Sequence, residues 1–121
     1  MNRTIMTVDD SPSMRALLRH ALGAEGYQVA EAEDGVQALE RIGEAAPDLV
    51  ITDINMPRMD GFGLIEKMRA DPAWNGLPIL VLSTEFSEEK KQRARAAGAT
   101  GWIVKPFDPV KLVDAVRRVA A

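Results

Sequence analysis

The stretch Leu49-Val50-Ile51-Thr52-Asp53-Ile54-Asn55-Met56-Pro57 starts with a short apolar run and passes an acidic residue before a turn signal. The run does not alternate with polar residues, which is typical of a β-strand buried on both faces. Met56-Pro57 indicates that the chain then turns away. We therefore expect a central strand of a parallel sheet with Asp53 at its carboxyl end, the edge where ligands bind in open sheets. Taken alone, Asp53 is also compatible with a plain strand-terminating residue.

Length and composition predict one ordinary globular domain spanning residues 1–121. Hydrophobic residues make up 46% of the chain and charged residues 27%. The absence of cysteine excludes disulfides, thiolate metal sites and cysteine nucleophiles. No apolar run approaches the roughly 18 residues of a membrane span, so we expect a cytoplasmic protein with no membrane association. The net charge of −3 argues against nucleic acid as a partner.

Strand and helix patterns alternate along the chain. Strands are predicted at 4–8, 27–32, 49–52, 78–83 and 101–104, and the second is expected at a sheet edge because it alternates. Helices are predicted at 12–25, 35–46, 62–70, 88–97 and 110–119. Helical spacing predicts buried stripes on the first, second and last helices, and the fourth helix has almost no large apolar residue. The stripes are Met14, Leu17, Leu18, Ala21 and Leu22; Val36, Leu39, Ile42 and Ala46; and Val110, Leu112, Val113, Val116 and Val119.

Five strands alternating with five helices indicate an α/β fold with helices on both faces of a parallel sheet. Right-handed crossovers leave few topologies, and we predict the doubly wound, flavodoxin-like strand order 2-1-3-4-5. In that order the carboxyl ends of strands one, three, four and five lie side by side. They carry polar residues in turn: Asp9 and Asp10, Asp53 and Asn55, Ser83 and Thr84, and Lys105.

The charges at this edge predict a cation site. Three carboxylates about 5 Å apart would repel one another by roughly 3 kcal/mol per pair at an effective dielectric near 20. Lys105 offsets part of that repulsion, and Mg²⁺, which prefers oxygen ligands, would relieve the rest. Asp53 then becomes a reasonable nucleophile toward phosphorus, giving an aspartyl phosphate. Lys105 would neutralise the transferring oxygens, and the Ser83 hydroxyl would donate to one of them.

These motifs resemble those of response-regulator receiver domains, in particular single-domain chemotaxis proteins of the CheY type. The resemblance covers the whole chain through Asp9-Asp10, the run from Asp53 to Gly61, Ser83, and Lys105-Pro106-Phe107. It implies a CheY-like fold and a phosphorylation-switched signalling protein of a two-component pathway. It also implies a phosphoacceptor rather than an enzyme.

The resemblance implies a role for each residue. Asp53 would be the phosphoacceptor, and Asp10, Asp53 and the backbone carbonyl of Asn55 would bind Mg²⁺ directly, with Asp9 acting through water. Lys105 would contact the phosphoryl group, and the Lys105-Pro106 peptide bond is expected to be cis.

The resemblance also implies a switch. Ser83, which has the family's spacing before the lysine, would move toward the phosphoryl group, and Trp102 would then swing inward. Chemotaxis relatives usually carry tyrosine there, and an indole is larger and lacks the phenol oxygen, so a plain packing role for Trp102 is the alternative. The face formed by helix four, strand five and helix five is expected to bind partners.

The implied partners are a histidine kinase of the CheA type and a flagellar motor switch protein, with the chain itself a monomer. Alternatives are a phosphate sink and a stand-alone receiver in a non-chemotaxis pathway. An aspartyl-phosphate-forming phosphatase is a further alternative, although such enzymes usually need an acid where this chain has Asn55. A flavodoxin-like electron carrier is disfavoured because Asp9-Asp10 would repel a flavin phosphate.

Overall fold

The structure is a computed structural model that describes residues 3–119, in which five strands alternate with five helices as predicted. The strands are β1 (Thr4–Val8), β2 (Gln28–Ala32), β3 (Leu49–Thr52), β4 (Ile79–Ser83) and β5 (Gly101–Val104). The helices are α1 (Pro12–Gly23), α2 (Gly35–Ala45), α3 (Gly61–Ala70), α4 (Glu88–Ala97) and α5 (Pro109–Val119). None of the helices within the described part has the length and apolar character that a membrane span requires.

The sheet has the order β2-β1-β3-β4-β5, and every neighbouring pair of strands is parallel. The predicted fold and strand order are therefore confirmed. The central strand β3 is buried along its whole length, whereas β2 and β5 form the two edges. All five strands run the same way, so their carboxyl ends form one edge of the sheet.

Apolar side chains fill the space between the sheet and the helices on both faces. On one face, α1 and α5 cover the sheet through Leu18, Leu22, Leu112 and Val116. On the other face, α2, α3 and α4 cover it, and most of their buried side chains belong to α3. This two-sided burial explains why β3 and β4 are continuous apolar runs without polar alternation.

Three residues that the helical spacing placed on buried stripes are exposed, so those predictions are wrong. Leu17 on α1 is 57% exposed and Val110 on α5 is 69% exposed, because the two helices leave a groove of about 390 Å³ between them. Both residues line that groove. Ala46 is exposed because α2 has already ended, with Ala46 as its left-handed cap at φ 45°.

Helix α4 is attached by little apolar contact, as its sequence predicted. Ala94 is the buried residue of this helix, and Ser87 caps its first turn by accepting a hydrogen bond from the Lys90 N–H. Its last turn ends at Gly98, whose φ of 118° lies in the left-handed region that favours glycine. The guanidinium of Arg69 on α3 donates to the Gly98 carbonyl at 2.9 Å, so a polar contact ties the end of α4 to its neighbour.

Candidate functional site

The carboxyl edge of the sheet brings together the acidic residues that the sequence singled out. Asp9 follows β1 and is buried, Asp10 is exposed beside it, and Asp53 follows β3 and is half-buried. One carboxylate oxygen from each lies within 4.8 Å of the other two. This spacing agrees with the predicted cluster, and the oxygen donors suit a hard divalent cation such as Mg²⁺.

Lys105, directly after β5, reaches into this cluster. Its ammonium donates to Asp9 Oδ2 at 2.8 Å and to Asp53 Oδ2 at 2.9 Å, and its side chain is only 10% exposed. Burial acts against the charged ammonium, but the hydrogen bonds to Asp9 and Asp53 outweigh it and raise the pKa of Lys105. The lysine is therefore held charged between two carboxylates. Its peptide bond to Pro106 is cis, as expected.

The backbone around Asp53 is held by hydrogen bonds to neighbouring strands and loops. The Asp53 N–H donates to the Val8 carbonyl at 2.9 Å, and the Gly61 N–H donates to the Ile54 carbonyl at 2.9 Å. The Ile54 N–H donates to Asp53 Oδ1 at 2.6 Å, so both carboxylate oxygens of Asp53 have a donor. Asn55 is exposed in the same loop, where its carbonyl is two residues from Asp53.

Ser83 and Trp102 are linked through the main chain of Glu85. Ser83 is fully buried at the end of β4, and its Oγ accepts a hydrogen bond from the Glu85 N–H at 3.2 Å. The indole N–H of Trp102 donates to the Glu85 carbonyl at 2.9 Å. The indole thus has a hydrogen-bonding role that the sequence did not suggest. Thr84, between these residues, is exposed.

Two arginines make contacts that the sequence did not predict, because each partner belongs to a different element of the fold. Arg58 lies in the loop after β3 and forms a two-point ion pair with Asp34, at 2.7 and 3.1 Å. The hydrogen bond from Arg58 is the main reason that the pKa of Asp34 lies below its ordinary value. Arg15 on α1 donates to the main-chain carbonyl of Asp9 at 2.6 Å. Neither contact has a local sequence signal.

Comparison with known proteins gives a family for this arrangement. A sequence model of the response regulator receiver domain matches residues 5–117. Chemotaxis protein CheY1 of Helicobacter pylori strain J99 is 40% identical over 112 residues, which cover 91% of this chain and 90% of that protein. The gliding motility regulatory protein of Myxococcus xanthus is 39% identical over 101 residues, which cover 84% of this chain and 13% of that protein.

Solved structures give the same result. Chemotaxis protein CheY4 of Vibrio cholerae is 44% identical and superposes with a TM-score of 0.94, covering 98% of this chain and 99% of that one. The BeF3-activated receiver domain of RstA from Klebsiella pneumoniae is 31% identical, with a TM-score of 0.90 and 97% of each chain covered. Sequence and structural likeness therefore extend over nearly the whole chain.

Proposed function

The chain belongs to the response regulator receiver family, and on that premise we propose that it is a phosphorylation-switched signalling protein of a chemotaxis-type two-component pathway. The observation that carries the proposal is the cluster at the carboxyl edge of the sheet. There, one carboxylate oxygen each of Asp9, Asp10 and Asp53 lies within 4.8 Å of the other two. Asp53 shares the ammonium of Lys105 with Asp9. A single lysine leaves this cluster with excess negative charge.

Receiver domains generally bind Mg²⁺, and the donors at this edge fit that ion. The carboxylates of Asp10 and Asp53 and the carbonyl of Asn55 would hold it, with Asp9 acting through water. These are oxygen ligands, as Mg²⁺ requires. When bound, the ion would supply positive charge beside the Asp53 carboxylate, where the phosphoryl oxygens would lie.

Asp53 is the phosphoacceptor in this proposal. A carboxylate oxygen of Asp53 forms a bond to phosphorus as the bond between phosphorus and the imidazole nitrogen of the kinase breaks, and the electron pair leaves with that nitrogen. Lys105 neutralises charge on the transferred oxygens, and the Ser83 hydroxyl donates to one of them. The chain assists its own phosphorylation and dephosphorylation but turns over no other substrate.

The main chain of Glu85 is the link by which phosphorylation would reach the surface. Movement of Ser83 toward the phosphoryl group would disturb the hydrogen bond that its Oγ accepts from the Glu85 N–H. Because the Glu85 carbonyl holds the indole of Trp102, that side chain would change position too. Trp102 lies on β5, next to α4, so the response would reach the face formed by α4, β5 and α5.

The partners in this proposal are a histidine kinase of the CheA type and a flagellar motor switch protein. The support is the likeness to chemotaxis proteins over most of the chain. Basic side chains on the face formed by α4, β5 and α5 favour an acidic partner surface. Lys91 and Arg95 of α4 are two of them, since they line a cleft together with Gly101 and Trp102 of β5.

Intact-protein mass spectrometry after incubation with acetyl phosphate tests the proposed chemistry. We expect one phosphoryl adduct that depends on Mg²⁺ and is absent from Asp53→Asn, which keeps the size of the side chain but removes the nucleophile. Asp71→Asn is the matched control, since Asp71 is an exposed acid after α3, at the far end of that helix from Asp53. An adduct that persists in Asp53→Asn would refute the assignment.

Turnover of a phosphate ester distinguishes the phosphatase alternative from a signalling phosphoacceptor. Steady release of phosphate from an ordinary phosphate ester, at many equivalents per protein, would favour an enzyme over a signalling phosphoacceptor. We expect no such turnover, because the place of the usual second acid is occupied by Asn55, whose amide does not ionise near neutral pH and cannot act as a general acid or base.

A further inference from the structure

Arg15 makes a contact that no step of the proposed phosphoryl transfer uses. Its side chain is 18% exposed and lies in the first turns of α1, with one guanidinium nitrogen on the Asp9 carbonyl oxygen at 2.6 Å. A second nitrogen, Nε, lies 3.3 Å from a carboxylate oxygen of Glu31 at the end of β2. Arg15 therefore bridges a neighbouring strand and the main chain of the acidic segment.

The bonded carbonyl belongs to the peptide group that joins Asp9 to Asp10. Since a peptide group is planar, holding its oxygen also fixes the direction in which Asp10 leaves the strand. Asp9 is held independently, because its N–H donates to the Ala32 carbonyl at 3.0 Å and its Oδ1 accepts from the Ser11 N–H at 2.9 Å. Arg15 adds a restraint on the peptide group that leads to Asp10.

Asp10 depends on that restraint more than its neighbours do. Its side chain is exposed, and within residues 3–119 it forms no hydrogen bond or ion pair, whereas Asp9 and Asp53 both contact Lys105. The position of its carboxylate is thus set by the backbone alone. A loosened peptide would spread that carboxylate over several directions, and a metal ion would have to order it on binding.

We propose that Arg15 is a positioning residue that holds the Asp9–Asp10 peptide, and so places the Asp10 carboxylate for Mg²⁺. The proposal rests on the magnesium site of the proposed function. Residues that orient metal ligands typically change metal affinity by about 10- to 100-fold when they are removed. Glu31 holds the guanidinium of Arg15 by an ion pair, so it contributes indirectly to the restraint on the Asp9–Asp10 peptide.

The sign of the change separates positioning from simple electrostatics. Arg15 carries positive charge beside an acidic cluster, so its removal alone would make the cluster more negative and strengthen Mg²⁺ binding. Loss of a positioning contact would weaken binding instead. A role limited to packing of α1 would lower the free energy of unfolding and leave the affinity of the folded protein unchanged.

Isothermal titration calorimetry with magnesium chloride tests this on the full chain. We expect Arg15→Met, which keeps the apolar stem, to weaken Mg²⁺ binding at least 10-fold. Arg19→Met is the matched control, because Arg19 lies one turn further along α1 and pairs with the same Glu31 but does not contact Asp9. Its affinity should stay within twofold of wild type.

The other outcomes also decide the question. Equal or tighter binding by Arg15→Met, with wild-type binding intact, would overturn the positioning role and leave the magnesium site standing. Absence of Mg²⁺ binding by wild type would overturn the site itself, and the inference with it. Should Arg15→Met fail to fold, Arg15→Lys takes its place, since it keeps the positive charge but cannot hold the Asp9 carbonyl and Glu31 at the same two points. We expect a weaker loss in the same direction there, and an unchanged affinity would overturn the role.

Discussion

Helices α3 and α4 have the same length and lie side by side, yet they are attached in opposite ways. Each contains 10 residues, and both begin at a side-chain cap, Asp60 for α3 and Ser87 for α4. Helix α3 buries five residues, three of which are Leu64, Ile65 and Met68. Helix α4 buries only Ala94. Apolar burial, which supplies most tertiary stabilisation of a helix, therefore differs greatly between them.

The difference corresponds to what the two helices carry. Helix α3 follows the loop of Asp53 and Asn55, where the proposed chemistry needs fixed atoms. Helix α4 follows the loop of Glu85, whose main chain links Ser83 to Trp102. A helix with few buried contacts opens or shifts at lower free energy than one that is part of the core. The molecule thus places its loosely held helix next to the proposed switch and its firmly held helix next to the phosphoacceptor.

The largest expected effect comes from truncating a buried side chain of α3. Leu64→Ala should lower the free energy of unfolding by about 2–5 kcal/mol, because a fully buried leucine leaves a cavity. Gln92→Ala, at an exposed position of α4, is the control and should change it by less than about 0.5 kcal/mol. Urea unfolding measures both. Similar losses at the two positions would contradict the contrast between the helices.

A smaller effect is expected where α4 is tied to α3. Gly98→Ala should cost about 1–3 kcal/mol, since a side chain is strained at φ 118° and its Cβ would lie 2.6 Å from the Arg69 Cγ. Arg69 cannot swing away freely, because it also donates to the carbonyls of Trp74 and Asn75. Gly26→Ala is the control, having a positive φ but open space around it. An equal cost at both positions would mean that the contact with Arg69 contributes nothing.

Sequence patterns predicted the parts of this molecule that depend on local spacing. Continuous apolar runs located β3 and β4, and the polar residues that follow the strands located the acidic edge, because parallel strands end together. The weak attachment of α4 was also predicted, since its sequence offers almost no large apolar side chain.

Features that depend on neighbouring elements could not be predicted in this way. Leu17 and Val110 fit the helical period but line a groove, because the period shows which side of a helix is apolar and not how closely the next helix approaches. The hydrogen bond from Trp102 to Glu85 and the contact of Arg15 with Asp9 join residues 17 and 6 positions apart, across different elements. Only the folded arrangement brings these partners together.

The smallest effect, and the sharpest test of the contrast, is expected at the cap of α4. Ser87→Ala removes the hydroxyl that accepts the Lys90 N–H, and such caps contribute about 1 kcal/mol. If α4 opens as a separate unit, its amide hydrogen exchange should speed up about fivefold while the amides of α3 keep their rates. Ser13→Ala is the control, an exposed serine in α1 that should leave both helices unchanged. Hydrogen exchange that speeds up equally in α3 and α4 would mean that the two helices open together, and that the loosely held helix is no separate element for the switch to move.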